Sequence, residues 1–578
     1  MNVTIKLGDH MTIIKWFFRY LKTYKKEMVK STFYMFLESL VEVFIPIIMA
    51  FLINNGIQNN DRGFIIVISV LLIILIIIGI VGSVLNSYYS SSISSSLSFD
   101  LRKDVFASIC DRKYKDLDSL NVSKSITIFS NDIATIGTVV LYFIRLFLKI
   151  IFIFIISIIM SIIIAPKFLI IIITVVPICV VLFYLIFKYA FPYFDLTQTS
   201  VDNLNHVVRE NISGIKFIKT LNQEKREIKR FSKINNELKI LNIKAMKLVM
   251  AVGPILQFLI YSATFIVLIY SNHLVQNNQI QIGTIMAFLQ YLSMILSSLL
   301  SGAMILLLVL KSWVSLKRIY ELVQIEENVN IRNFKLSKIQ DIEFKNVSFS
   351  YGNSKEKVLS NLNFKIKCGE KIAIIGRCGS GKSTLLKLIA NLYEVTSGKL
   401  IINNQNINCY DEKSLRKNIL YMNQNSPLFS GTIKTNISFF KKGKIVDKVL
   451  ESSDVSSILE NKKDGLLSKV ESFGNNFSGG EKNRIVLARA LFQNVDVLLF
   501  DDVLSAVDIK TEKKIWKSIK ENYSKHTIIQ VNSRLSNLSD MDKIILLENG
   551  KIEAIGTFEE IKDNDLFKQF YELQKESK

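Results

Sequence analysis

Apolar residues crowd the first three hundred positions in long Ile/Leu/Phe runs, then give way to a mixed pattern of short strands and helices. A membrane helix needs about 20 mostly apolar residues. Six segments meet that requirement, at about 31–53, 64–86, 139–164, 168–188, 248–271 and 282–310. The polar bend NNGIQNNDRG separates the first two, and Ala165-Pro166-Lys167 splits the third from the fourth. Leu248 to Leu310 holds no Asp, Glu, Lys or Arg in 63 residues, too long for one span, and SNHLVQNNQIQ marks its turn. Segments 87–138 and 189–247 keep helical periodicity with few breakers, far beyond ordinary loop length. They are expected to prolong the membrane helices into the cytosol. The pattern predicts a transmembrane domain over 1–325 and a soluble α/β domain over 326–578.

Charge refines this picture. The formal net charge is +22 and 49% of residues are hydrophobic, with mean hydropathy +0.31. A nucleic-acid partner is one reading of such basicity. Here, however, the Lys and Arg residues flank apolar runs, so a membrane protein is expected and nucleic acid is not. Met1–Lys30 carries seven Lys/Arg, the loop between spans two and three six, and Lys188–Lys247 twelve. The opposite turns carry only Arg62 and Lys167. Basic residues stay on the cytoplasmic side, which places both termini there. In Ile13–Lys22, apolar residues interleave with Lys15, Arg19 and Lys22, as suits a helix lying along the inner leaflet. The five cysteines match neither a zinc site nor a disulfide framework.

The strongest chemical signal is Gly376-Arg377-Cys378-Gly379-Ser380-Gly381-Lys382-Ser383, followed by Thr384. It lies between a short buried strand, Lys371–Ile375, and a helical run. Strand, GxxxxGK[ST], helix is the context in which backbone amides cradle phosphates. Lys382 is expected to neutralise the β/γ-phosphates of ATP, and the Ser383 hydroxyl to ligate Mg2+. Val497–Asp501 is a hydrophobic strand ending in an acid, the carboxylate expected to stand behind that metal's direct ligands.

These strings, with Tyr351, Gln424 in YMNQNSPLFSGTIKTNI, Phe477-Ser478-Gly479-Gly480-Glu481 and Ser505-Ala506-Val507-Asp508, occur in the order of the ATP-binding cassette (ABC) family. Residues 340–560 resemble its nucleotide-binding domain, and 11–320 the six-helix membrane domain of its exporter branch. The resemblance implies roles by position. Tyr351 stacks on adenine, and Gln424 touches magnesium. Ser478, Gly479 and Gly480, with Glu481, form the signature that clamps ATP held by the opposite subunit. Glu210, Asn211 and Gly214 sit in a coupling segment that docks on a nucleotide-binding domain.

Two positions depart from the family pattern. Asp502 stands where Glu usually polarises the attacking water, and Ser533 where a His contacts the γ-phosphate. Displacing a catalytic group by about 1 Å can cost on the order of 10²-fold. The expectation is a site that binds ATP but hydrolyses it poorly, in a heterodimer whose other half-transporter carries the complete residues. A homodimeric pump with slow turnover, and an ATP-binding regulator or channel-like subunit, are the alternatives.

For cargo, Glu38 and Glu42 lie one turn apart in the first span. Intramembrane charges usually face a cavity or a partner. They are candidates either to line the cavity for an amphipathic drug, lipid or peptide, or to pair with Arg145 or Lys149. No peptidase-like segment precedes the first span, so an exporter that trims its own cargo is not expected. The setting expected is a multi-pass protein of a bacterial plasma membrane, in contact with its lipids.

Overall fold

The computed structural model describes residues 7–576, apart from 119, 121, 278, 325–333, 353, 355, 425, 440 and 532–537. By internal contacts the chain divides into two compact units, residues 1–112 with 120–325 and residues 113–119 with 326–578.

The first unit is helical. Six helices are long and apolar enough to cross a membrane. The first span, Lys25–Phe51, ends in a wide π-turn, Leu52–Ile57. The second is one unbroken helix, Arg62–Asp111, N-capped by Asp61, whose carboxylate accepts from the Phe64 amide. At 1.5 Å per residue, its 50 residues reach about 75 Å. The third assembles from Val122 to Ile164 through two further π-turns, Ile128–Asp132 and Phe143–Phe147. The fourth, Leu169–Ser213, accommodates Pro177 and Pro192. The fifth joins Glu224–Met250 to Val252–Gln276, and the sixth runs Ile282–Val323. In the most apolar stretch of the second span, 0% of residues are buried within the chain. Such a surface is stable only against lipid or another protein.

A few polar groups tie the helices of this unit to one another. Tyr291 donates to the Val43 carbonyl at 2.7 Å, and the Gly283 amide to Asn54 Oδ1 at 2.7 Å. A Cβ at Gly283 would stand 2.5 Å from the Ala50 carbonyl oxygen, so the close approach of first and sixth spans requires glycine. Asp132 takes Arg318 at 2.6 Å and Ser315 at 2.8 Å, tying the third helix to the sixth. An N-terminal helix, Leu7–Thr23, is fixed along one side. Tyr20 and Tyr24 donate to Asp104 and Asp100 of the second helix, each at 2.6 Å. Its other side exposes Met11, Ile14 and Phe18, the mixed face expected of an interfacial helix.

The second unit is α/β. Its six-stranded sheet runs, in spatial order, Lys551–Gly556, Lys543–Glu548, Lys371–Ile375, Thr527–Val531, Val497–Asp501 and Ile419–Met422. Only the first of these pairings is antiparallel. The three central strands are buried at every position, which is why they read as continuous apolar runs rather than alternating ones. A second, antiparallel sheet orders Leu359–Lys367, Asp341–Phe349, Ser397–Ile402 and Gln405–Asn406. In open parallel sheets ligands bind beyond the carboxyl ends of the strands. The glycine loop and Asp501 both emerge there.

Candidate nucleotide site and membrane cavity

The glycine loop leaves the strand at Gly376 and enters the helix Lys382–Ile389 at Gly381. A Cβ at Gly376 would lie 1.9 Å from the Leu547 carbonyl oxygen, so no other residue fits without moving the neighbouring strand. The loop is drawn in around its own lysine. Lys382 Nζ donates to the carbonyls of Gly376 and Arg377 at 2.8 and 2.7 Å. Burial lowers the Lys382 pKa, while Cys378, Asp501, Asp502 and Glu548 work against that fall. Arg377 pairs with the nearly buried Glu548 at 3.6 Å. Ser380 is buried, and its hydroxyl has no partner among the described residues. A buried unpaired donor in a loop of amides suits a phosphate oxygen.

Beside the loop, Ser383 Oγ donates to Asp501 Oδ1 at 2.8 Å. The other carboxylate oxygen accepts from Tyr421 at 2.8 Å. Burial, then the charge of Asp501, pushes the Tyr421 phenol up, so it remains a neutral donor. These hard oxygens are a donor set that suits magnesium. Gln424 Nε2 donates to Asp502 Oδ2 at 3.1 Å, so the two sequence candidates meet. Asp502 sits at φ +54°, the left-handed region that short Asp and Asn tolerate best. Tyr351 hydrogen-bonds Thr384 at 3.0 Å and packs edge-on against Phe349 and Tyr393, at 4.9 and 5.2 Å. Ser533 lies outside the described residues.

The signature starts the helix Gly479–Gln493. Ser478 caps it, and Glu481 reaches back to the Ser478 amide at 2.8 Å, a reciprocal capping box. Either Glu or Gln closes such a box, which accounts for Glu481 at this position. Burial alone would raise the Glu481 pKa. The Ser478 hydrogen bonds, with Lys462 and Arg484, hold it below the ordinary carboxylate value. Asp508 caps the next helix, Ile509–Asn522, from the end of the Ser505–Asp508 loop.

Residues missed in the sequence come from afar. Tyr114–Leu117 is a short helix grouped with the nucleotide-binding unit. Tyr114 stands edge-on to Tyr393 at 5.7 Å, and Tyr393 donates to Asp118. The polar string Lys113–Ser119 interrupting a helical extension was the available signal. Glu210, Asn211 and Gly214 fall at the junction of Leu169–Ser213 and a short helix, Ile215–Thr220. Glu210 is held by Arg230 at 2.9 Å, while Ile212 and Phe217 are 69% and 68% exposed.

In the membrane unit Lys149 stands between Glu38 and Glu42, at 2.9 and 2.8 Å. Arg145 makes no ion pair with either. Asn86 approaches Glu38 on its far side at 3.4 Å. A cavity of about 620 Å³ is lined by Glu42, Lys149, Tyr142, Ser297, Ser301 and Met304, among others. Glu38 is not among its lining residues.

Two family models match, an ABC transporter transmembrane region over residues 28–300 and an ABC transporter domain over 359–505. The chain is 30% identical over 560 residues to the ABC transporter ATP-binding protein YfiB of Bacillus subtilis, covering 96% of this chain and 97% of that one. It is 34% identical over 382 residues to the multidrug resistance-like ATP-binding protein MdlA of Buchnera aphidicola, covering 65% of each. A solved structure of a bacterial Atm1-family ABC exporter with ATP bound superposes with TM-score 0.81, covering 95% of this chain and 98% of that one, at 18% identity. At that identity the likeness concerns the fold.

Proposed function

Because the chain belongs to the ABC transporter family, as an exporter-type half-transporter, we propose that it forms the unequal half of an ATP-driven heterodimeric pump. ATP binds at the glycine loop. Tyr351 stacks on the adenine, and the loop amides, Lys382 and Thr384 hold the phosphates. Ser383, Asp501 and Gln424 face magnesium, which offsets phosphate charge when bound. Ser478, Gly479 and Gly480 reach the ATP of the opposite subunit. Closure of the two nucleotide-binding domains passes through the Glu210–Gly214 segment and switches the membrane helices from inward- to outward-facing. That is differential binding of ATP to two conformations. Both termini lie in the cytoplasm of a bacterial cell, and the domains divide at about 325/326.

One observation carries the heterodimer reading. Asp502, short and set at φ +54°, is bonded to Gln424 beside an Asp501 that is itself complete. Metal binding is thus supported while the water-polarising carboxylate is withdrawn, and Ser533 removes the imidazole. The partner then supplies Glu and His. The cargo is an amphipathic molecule. The apolar cavity with Glu42 at its wall supports this, as does the multidrug resistance-like relative.

The test is nucleotide trapping with orthovanadate and a photoreactive ATP analogue in vesicles holding both subunits. Label is expected on the partner's glycine loop. Equal labelling of this chain would refute the unequal site. A self-paired slow pump would show label and transport without any partner.

A further inference from the structure

The helix Ile509–Asn522 carries a second basic feature, apart from the glycine loop. Lys513, Trp516, Lys517 and Lys520 recur at helical spacing and line one cavity of about 410 Å³, within the usual range for small-ligand sites. Its other lining residues include Lys371, Ile519, Asp540 and Met541. Four lysines thus line a pocket whose lining carries one carboxylate. Lys520 reaches that carboxylate, Asp540, at 3.3 Å. Lys513 and Lys517 have no ion pair among the described residues. Lys514 on the same helix points elsewhere and is tied to Asp454 at 2.7 Å. Lys513, Lys517 and Lys520 share one face of the helix, and that face borders the pocket.

The apolar part of the lining is informative. Ile519 and Met541 are 0% and 7% exposed. Trp516 is 5% exposed, and its indole N–H has no acceptor among the described residues. A buried, unpaired donor of this kind costs stability unless something answers it. Lys371 is also buried. Its ammonium donates to the carbonyls of Gly369, Tyr523 and Ser524 at 3.1–3.2 Å, and to His526. With its ammonium held by backbone carbonyls, Lys371 borders the pocket as a fixed wall rather than as a free cation.

We propose that this pocket binds a small organic phosphate monoester, its dianion held by Lys513 and Lys517 and its apolar part resting against the edges of Trp516 and Met541. The site is separate from the ATP loop, and it does not depend on the heterodimer reading. The chemistry is shared by soluble phosphate esters and by a phosphatidic acid headgroup.

Trp516 reports on its own pocket. The chain has three tryptophans, and Trp16→Phe/Trp313→Phe leaves it as the only one. Phenyl phosphate titrated onto this full-length protein in detergent should change Trp516 fluorescence saturably, and phenol should not. Calorimetry on the wild-type chain should give the same Kd. Lys513→Ala/Lys517→Ala should weaken binding about tenfold or more, as loss of charge-assisted contacts implies. Lys382→Ala should leave it unchanged. Dihexanoyl phosphatidic acid binding more tightly than phenyl phosphate would assign the lipid source, and the reverse order the soluble one. Binding lost in Lys382→Ala, binding indifferent to Lys513→Ala/Lys517→Ala, or no saturable signal would overturn the proposal.

Discussion

Gln424 donates to Asp502 at 3.1 Å, joining two positions 78 residues apart through the shorter carboxylate. In a heterodimer with a complete partner site, that carboxylate is not the group that limits turnover. Asp502→Asn keeps the size and an acceptor for Gln424. It is expected to lower heterodimer ATPase by less than about twofold, against the 10²–10⁴-fold contribution typical of a working general base. Steady-state ATPase at saturating Mg-ATP checks this, and a larger loss would return Asp502 to the catalytic machinery.

Tyr421 fixes the second oxygen of Asp501, and burial keeps its phenol neutral through the physiological range. Tyr421→Phe removes one hydrogen bond to a charged acceptor, worth about 1.5–3 kcal/mol. The magnesium concentration for half-maximal ATPase should rise, with ATP binding in EDTA unaffected. A magnesium titration of the wild type and Tyr421→Phe makes the comparison.

Asp454 pins two helices. Arg484 of the signature helix and Lys514 each reach it at 2.7 Å, and Ser457 donates at 2.9 Å. Burial pushes the Asp454 carboxyl up, but the Lys514, Ser457 and Arg484 hydrogen bonds outweigh it and hold the carboxyl below its ordinary value. A depressed folded-state value means the stabilisation is complete above the unfolded carboxylate range, near pH 4, and is lost as pH falls below it. Asp454→Ala takes the carboxylate from the partly buried Arg484, which keeps only the residue-454 carbonyl and the Ser457 hydroxyl, and should destabilise by about 3 kcal/mol near neutral pH. The deficit should shrink as the pH falls below about 4. Thermal unfolding of the full-length protein across pH measures both.

Lys149 compensates two carboxylates, so its removal should harm more than removal of all three charges. Lys149→Met is expected to lower Tm by several degrees, and Lys149→Met/Glu38→Gln/Glu42→Gln to recover most of it. If Glu42 also meets cargo, efflux of a cationic dye falls in Glu42→Gln while Glu38→Gln, away from the cavity, retains it. Equal effects at both positions would leave the pair a purely structural one.

What the sequence disclosed was what is encoded locally. The glycine loop, the signature and the Asp501 strand are contiguous strings whose geometry follows from their own backbone, and apolar runs of about 20 residues are legible by composition. The family comparisons agree with the fold reading, a six-helix membrane region followed by an α/β nucleotide-binding domain. By sequence Arg145 and Lys149 are both candidate partners of Glu38 and Glu42, and packing selects Lys149. Tyr421 was not legible, because its pairing with Asp501 spans 80 positions and depends on two parallel strands adjoining. Asp118 meets Tyr393 across 275 positions, with no local motif to announce it. The basic pocket is not legible in the sequence, because its lysines resemble any solvated helix face until Trp516 and Met541 close its wall.

The most direct measurement is vanadate-sensitive ATP turnover by this chain alone, reconstituted in liposomes, beside Asp502→Glu/Ser533→His. The account predicts slow turnover that the double substitution raises by about 10²-fold, the scale set by restoring a misplaced catalytic group. Wild-type turnover as fast as that of the double variant, coupled to cargo movement without a partner, would contradict it.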